Sequence, residues 1–221
     1  MKCTTDSIKG KKRKKNKDRT LVIDSHNFSL FALFDGVSSA KGAIEGVQES
    51  IWFLKKNHLS YLKDSLPELD RLLLDLNIKL VSSNLDEPFT TCSLLLIPQD
   101  PSKPLQFLNI GDSRIYSVTR QYLKLHTNKG QSDVFKNQLL DYLGKPDLDP
   151  KNLKVDTIQR ASEDFIICSD GFYQLMESHK QQFFKIFQFS YLKNLQKAIR
   201  KEISKKNTDD ATYIFVKASD V

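Results

Sequence analysis

The sequence predicts an α+β fold in which largely antiparallel sheets are covered by helices. Three observations carry that prediction. Apolar runs of strand length recur along the 221 residues, but they do not alternate strictly with helical patterns as a parallel sheet requires. Two amphipathic helical stretches follow one another before residue 81. Four short acidic fragments, Phe34-Asp35-Gly36, Ile110-Gly111-Asp112-Ser113-Arg114, Cys168-Ser169-Asp170-Gly171 and Thr208-Asp209-Asp210-Ala211-Thr212, each sit where an apolar run meets a turn. An apolar content of 39 % suits one medium domain, residues 1–221, with a real core.

In chain order, residues 28–34 (Phe-Ser-Leu-Phe-Ala-Leu-Phe) read as a buried strand by length and aromatic content. Ser38 and Ser39 are candidate caps for a helix that places Ile44, Val47, Ile51 and Leu54 on one face. Ser65-Leu66-Pro67-Glu68 has the form of a capping box, opening a helix with Leu69, Leu72, Leu73, Leu76 and Leu80 as its stripe. Residues 90–97 are strand-like. Residues 105–110 and 115–118 flank Gly111-Asp112-Ser113-Arg114, which reads as a hairpin with a charged tip. Residues 134–143 carry a helical pattern ended by Gly144 and Pro146. Residues 165–168 form a short strand pattern, 183–201 a helical one, and 212–216 a last strand.

Composition narrows the function classes. No run of about 18 apolar residues occurs, so no membrane span is expected. The first residues lack the apolar stretch of a secretory signal. Cys3, Cys92 and Cys168 are odd in number and far apart, which disfavours a disulfide framework or a zinc site and points to a reducing, cytoplasmic setting. The net charge is +7, with 34 basic and 27 acidic residues. Residues 9–19 alone hold eight basic groups and one acid; the rest of the chain then has 26 of each sign and is neutral. The basicity is therefore local and points to one anionic target, whether phosphate, nucleic acid or lipid. No base-stacking aromatics lie in that run, which disfavours nucleic acid. The four histidines are scattered and suit surface or core positions better than catalysis.

A carboxylate at a buried strand end is costly unless a hydrogen-bond network or a cation compensates it. Asp35 can bridge two cations while the Gly36 carbonyl adds an oxygen; Asp170-Gly171 repeats that logic, and Asp209 approaches from the other end of the chain. Oxygen ligands alone suit magnesium or manganese rather than zinc. Two such ions lower the pKa of a bridging water, and a nearby arginine matches the geometry of phosphate. The pattern points to metal-assisted phosphate-ester hydrolysis without a covalent enzyme intermediate.

These fragments together resemble the metal-dependent serine/threonine protein phosphatases, the PPM or type 2C family, and especially its compact single-domain bacterial members. The match runs in order over almost the whole chain: Arg13-Lys14-Lys15-Asn16-Lys17-Asp18, Asp35-Gly36, Thr90-Thr91, Gly111-Asp112-Ser113-Arg114, Ser169-Asp170-Gly171-Phe172 and Asp209-Asp210-Ala211-Thr212. The resemblance implies an α-β-β-α sandwich of two antiparallel sheets flanked by helices. It implies that Arg13 grips the substrate phosphate and that Asp18 orders metal-bound water. It further implies that Asp35 bridges two Mn²⁺ or Mg²⁺ ions, that the Gly36 carbonyl binds the second, that Asp170 and Asp209 complete the first site, and that Asp112 recruits a looser third ion. Phosphorylated proteins would be the substrates of a monomeric enzyme opposing a serine/threonine kinase.

Three departures from the family pattern stand out. Lys17 replaces an acidic or amide residue expected beside the second metal, Val37 follows Asp35-Gly36 where many eukaryotic members carry histidine, and the flap between Leu125 and Leu143 is reduced. They keep two alternatives open: a pseudophosphatase with a weakened second metal site, and a protein that binds through its basic segment.

Overall fold

The computed structural model describes residues 2–62, 67–119, 121–127, 139–159 and 162–218. Two five-stranded antiparallel sheets lie face to face with helices on both outer sides, as expected. The first sheet has the order β2-β3-β4-β5-β8, built from Arg19–Asp24, Phe28–Phe34, Cys92–Pro98, Leu105–Ile110 and Asp156–Ile158. The second has the order β1-β10-β9-β6-β7, built from Lys2–Ile8, Ala211–Lys217, Asp164–Cys168, Arg114–Val118 and Leu123–Leu125. The helices are α1 (Ala43–Leu62), α2 (Leu69–Val81), α3 (Asp170–Ser178), α4 (Lys180–Phe187) and α5 (Leu192–Lys206).

Three apolar layers hold these elements together. Phe31, Leu33, Leu95 and Phe107 from one sheet meet Ile115, Ile167, Ile214 and Val216 from the other in the central layer. The opposite faces of β3 and β4 pack on α1 and α2 through Leu30, Ala32, Leu94, Val47 and Leu54 and the full leucine stripe from Leu69 to Leu80. On the far side Ile166, Tyr213 and Phe215 pack on Phe172, Phe183, Leu195, Ile199 and Ile203 of α3–α5. A strand buried on both faces has no need of polar alternation, which is why β3 and β10 read as almost continuous apolar runs.

Several expectations are corrected. The Gly111-Asp112-Ser113-Arg114 fragment is not a hairpin tip: β5 and β6 lie in different sheets, and the fragment carries the chain from one to the other. Gly111 makes that crossing at φ +100°, with Thr91 side-chain atoms 2.5 Å from where a Cβ would stand. Residues 139–143 are not helical; Leu143 bridges Thr90 in an isolated antiparallel pair, and residues 134–138 lie outside those described. Thr90 itself precedes β4.

The helix expected over 183–201 is two, α4 and α5, parted at residues 188–191. Helix α3 starts at Asp170, where Asp-Gly locally favours a turn and no helix is expected. Ser38 and Ser39 do not cap α1, which begins at Ala43. Half of the capping box, Ser65 and Leu66, lies outside the described residues, and Glu68 makes no side-chain cap on α2. Most of the reduced flap, 128–138, also lies outside them. Among the described residues, no helix is long and apolar enough to cross a membrane.

Candidate metal centre

Strand register brings the acidic fragments to one end of the sandwich. In the first sheet Arg19 of β2 faces Phe34 of β3, so Asp18 and Asp35, one residue further out, flank the same strand end. In the second sheet Cys168 of β9 faces both Arg114 of β6 and Tyr213 of β10. Asp112, Asp170 and the Asp209-Asp210 pair therefore leave that sheet together. Five sequence-predicted carboxylates, Asp18, Asp35, Asp112, Asp170 and Asp209, thus come from five separated segments.

The charges feel one another. Burial lifts the Asp35 carboxyl well above its ordinary value, and the charges of Asp18, Asp170 and Asp112 add to the rise. Burial likewise pushes Asp170 from the ordinary 3.8 to about 7, reinforced by Asp112, Asp209 and Asp18. Asp18 is 1 % exposed and is also pushed to about 7, by burial first and with the Asp210 charge adding. Its Oδ2 is buried with no hydrogen-bond partner among the described residues. An anionic oxygen withdrawn from water in that way needs a cation or bound water beside it.

Hydrogen bonds fix the backbone around this cluster. Thr91 N–H donates to the Asp35 carbonyl at 2.8 Å, the Thr90 hydroxyl donates to the same oxygen at 3.1 Å, and Asp35 N–H donates to Thr91 Oγ1 at 3.2 Å. Thr91 Oγ1 and Ser113 Oγ lie 3.2 Å apart, which ties the Asp35 loop to the sheet-crossing fragment. Asp170 is the first residue of α3, where the helix dipole favours a negative charge.

The basic run is a connection between β1 and β2, pinned at several points. Asp210, 5 % exposed, accepts from Gly10 N–H at 2.8 Å and from Lys17 N–H at 2.9 Å. Asn16 Oδ1 accepts from Asp18 N–H at 2.9 Å, which orients Asp18 inward. Arg13 forks onto Asp209: Nε lies 2.5 Å from Oδ1, and Nη2 binds Oδ2. Lys17 turns away from the carboxylates and donates its ammonium hydrogens to the carbonyls of Val37 (3.2 Å), Ser38 (2.9 Å) and Ala40 (2.9 Å). Its chain therefore backs the Gly36 loop. Arg114 pairs with Glu177 at 2.9 Å and stacks on Tyr173, its guanidinium 3.7 Å from the ring centre.

Strand register and mutual charge effects thus group Asp18, Asp35, Asp112, Asp170 and Asp209 at one end of the sandwich, with Arg13 on Asp209. Among the described residues, no three acidic, histidine or cysteine side chains form a ready-made cage, and Asp209 is engaged by Arg13. The donor set is carboxylate and carbonyl oxygen, which fits a hard divalent ion. Asp210 is the residue whose importance the sequence hid: it read as half of an acidic doublet, yet its carboxylate is the clamp for the N-terminal connection. An open recess of about 850 Å³ beside α3 and α4, lined by Glu177, His179, Gln182, Lys185, Ile186 and Phe189 among others, is separate from the acidic cluster.

A family model described as protein phosphatase 2C matches residues 10–206. Among solved structures, the chain is similar to the serine/threonine phosphatase Stp1 from Staphylococcus aureus, at 17 % identity over 98 % of this chain and 94 % of that one, with a TM-score of 0.79. It is similar to a bacterial serine phosphatase at 18 % identity, covering 99 % and 98 % of the two chains, with a TM-score of 0.80. It is also similar to the PPM Ser-Thr phosphatase MsPP from Mycobacterium smegmatis, solved with cacodylate, at 16 % identity over 99 % of each chain and a TM-score of 0.77. At such identities these likenesses establish the fold. No curated protein sequence is a significant match.

Proposed function

Because this chain belongs to the protein phosphatase 2C family, we propose that it removes phosphate from phosphoserine and phosphothreonine in proteins by metal-dependent hydrolysis. The observation that carries the reading is the convergence of Asp18, Asp35, Asp112, Asp170 and Asp209 at one end of the sandwich beside Arg13. Asp35, Asp170, Asp209 and the Gly36 carbonyl would hold two Mn²⁺ or Mg²⁺ ions, with Asp112 at a looser third position. Such ions, when bound, supply an activated water and neutralise phosphate charge.

The chain's own residues do the rest. Burial, with the Asp210 charge adding, lifts Asp18 to about 7, and burial with the charges of Asp18, Asp170 and Asp112 lifts Asp35 well above its ordinary value, so a cation bound there would displace their protons. Arg13 offers the two-pronged guanidinium that suits a phosphate ester, and it is carried on a connection pinned by Asp210. The Thr90-Thr91 pair holds the Asp35 backbone in place. Lys17 holds the loop after Gly36 and keeps its own charge off the carboxylates.

Manganese-dependent turnover of a phosphoester dye and of a phosphothreonine peptide tests this. Turnover in the wild type, lost in Asp35→Asn and Asp170→Asn, supports the reading; equal inertness of all three in ample manganese ends it. The Arg13–Asp209 pair favours a second reading, a catalytically idle member of the family in which arginine stands in for a metal. That reading expects no manganese binding by calorimetry at millimolar concentration.

A further inference from the structure

Two basic segments from opposite ends of the chain form one surface beside the acidic cluster. Residues 9–19 carry eight basic side chains and one acid, and α5 carries six and one. The remaining residues hold twenty basic and twenty-five acidic groups, so a chain of net +7 is net −5 outside these two segments.

Packing joins the segments. Asn207, just past α5, donates its side-chain amide to the Lys9 carbonyl at 3.0 Å, and Lys12 N–H donates to the Thr208 carbonyl at 3.1 Å. The Lys11 ammonium lies 2.7 Å from the Lys205 carbonyl, at the helix end whose dipole favours a cation.

Helix geometry sorts α5 into two ridges. Leu195, Ile199 and Ile203 are buried against the sheet. Lys193, Lys197, Lys201 and Lys205 recur every fourth residue, two positions out of step and so about 200° round the axis. All four are exposed. At about 1.5 Å per residue the lysine ridge is about 18 Å long, and only Asn207 and Thr208 separate the end of the helix from Asp209. Lys12, Lys14 and Lys15 project from the connection that also carries Arg13. Among the described residues, Lys12, Lys14, Lys15, Lys193, Lys197 and Lys201 make no ion pair. Like charges at four-residue spacing weaken a helix, a loss that an anion lying along the ridge reverses.

We propose that this surface is a docking track for acidic sequence flanking the phosphorylated residue of a protein substrate. The inference rests on the phosphatase reading above and adds a substrate class to it. The track starts at Arg13 and the carboxylate cluster and runs outward for about 18 Å, the length of five or six extended residues at about 3.3 Å each. Neither segment contains an aromatic side chain on which a nucleic-acid base could stack. Tyr191 precedes the first turn of α5, at the end remote from Asp209.

The test compares two phosphothreonine peptides of equal length, flanked over six positions by glutamate or by glutamine, in manganese. The glutamate peptide is expected to have about tenfold higher kcat/KM at low salt, carried by KM. That preference should vanish near 1 M salt, where the screening length is about 3 Å. The triple variants K12Q/K14Q/K15Q and K193Q/K197Q/K201Q should each cut the ratio between the peptides several-fold. Fluorescence anisotropy of the unphosphorylated glutamate peptide reads docking without catalysis and should show salt-sensitive binding weakened in both triple variants. Equal kcat/KM for the two peptides at every salt, with the dye turned over, overturns the track and leaves the phosphatase intact. An inert dye overturns the phosphatase reading, and the anisotropy then decides the track alone. Tighter lysine-dependent binding of a single-stranded oligonucleotide than of the glutamate peptide also overturns it and assigns the surface to nucleic acid.

Discussion

Asp35-Gly36 and Asp170-Gly171 are the same dipeptide at the same end of two facing sheets, and the chain treats them differently. After Asp35 it enters an irregular loop, held by Thr90, Thr91 and the Lys17 ammonium, and α1 starts only at Ala43. After Cys168 it turns at once into α3, whose first residue is Asp170. A Cβ on Gly36 would meet the Lys17 Cβ at 3.0 Å and the Ala43 Cβ at 3.2 Å, a tight fit that a shift of a few tenths of an ångström relieves. A Cβ on Gly171 would meet the Asp210 carbonyl oxygen at 2.2 Å, in backbone that is itself pinned. A dipeptide offers a carboxylate, while the segment packed behind it decides how rigidly that carboxylate is held.

The largest expected effect treats the two aspartates as equals. Asp35→Asn and Asp170→Asn should each lower manganese-dependent turnover more than about 100-fold, beyond the usual effect of residues that only support a ligand. Steady-state kinetics with manganese calorimetry reads this, and survival of either variant would break the symmetry. The glycines should then separate. Gly171→Ala should destabilise by about 3 kcal/mol and Gly36→Ala by about 1 kcal/mol, the two ends of the usual overpacking range, measured by urea unfolding. Equal losses would mean that close backbone approach is not what distinguishes the turns.

Lys17→Met removes three hydrogen bonds of a half-buried ammonium and should cost about 1 kcal/mol after allowance for its exposure. Amide exchange should quicken over residues 36–40 and stay unchanged over 171–175; a uniform change would deny Lys17 its one-sided role. A last effect is on pH. Folded Asp18 and Asp170 hold a proton up to about 7, whereas the unfolded groups release it near 3.8. The native state therefore binds more protons in that window, and the metal-free protein should lose stability as pH rises through it. Thermal melts in chelator should fall from pH 4 to 7, less steeply in Asp18→Asn, and added manganese should raise them more at pH 7 than at pH 5.

Local patterning was legible wherever an element is buried on a regular face. The leucine stripe of α2 and the apolar runs of β3, β5, β9 and β10 stand where periodicity puts them. Legibility failed where an element draws its identity from distant partners. Strand β1 is half-exposed and reads Lys-Cys-Thr-Thr-Asp-Ser-Ile, with little apolar signal; its pairing with β10, from the far end of the chain, makes it a strand. Helix α3 opens on Asp-Gly, a pair that locally favours a turn. The Gly111–Arg114 fragment has the composition of a hairpin, and only the assignment of β5 and β6 to different sheets makes it a crossing. The acidic residues of the site were visible because carboxylates at strand ends stand out against apolar runs. The clamp by Asp210 and the turning of Lys17 onto three carbonyls were not, since each depends on segments far apart in sequence.

The α+β class, the main core elements and the candidate acidic residues can be read along the chain, because periodicity and charge placement are local properties. Long-range packing makes the basic run a pinned connection, carries Arg13 to Asp209, and lets a lysine ridge of α5 extend the same surface. Register separates the two. Antiparallel pairing of β1 with β10 sets residues 9–18 against 207–210, and no local pattern encodes which distant strand a strand will choose.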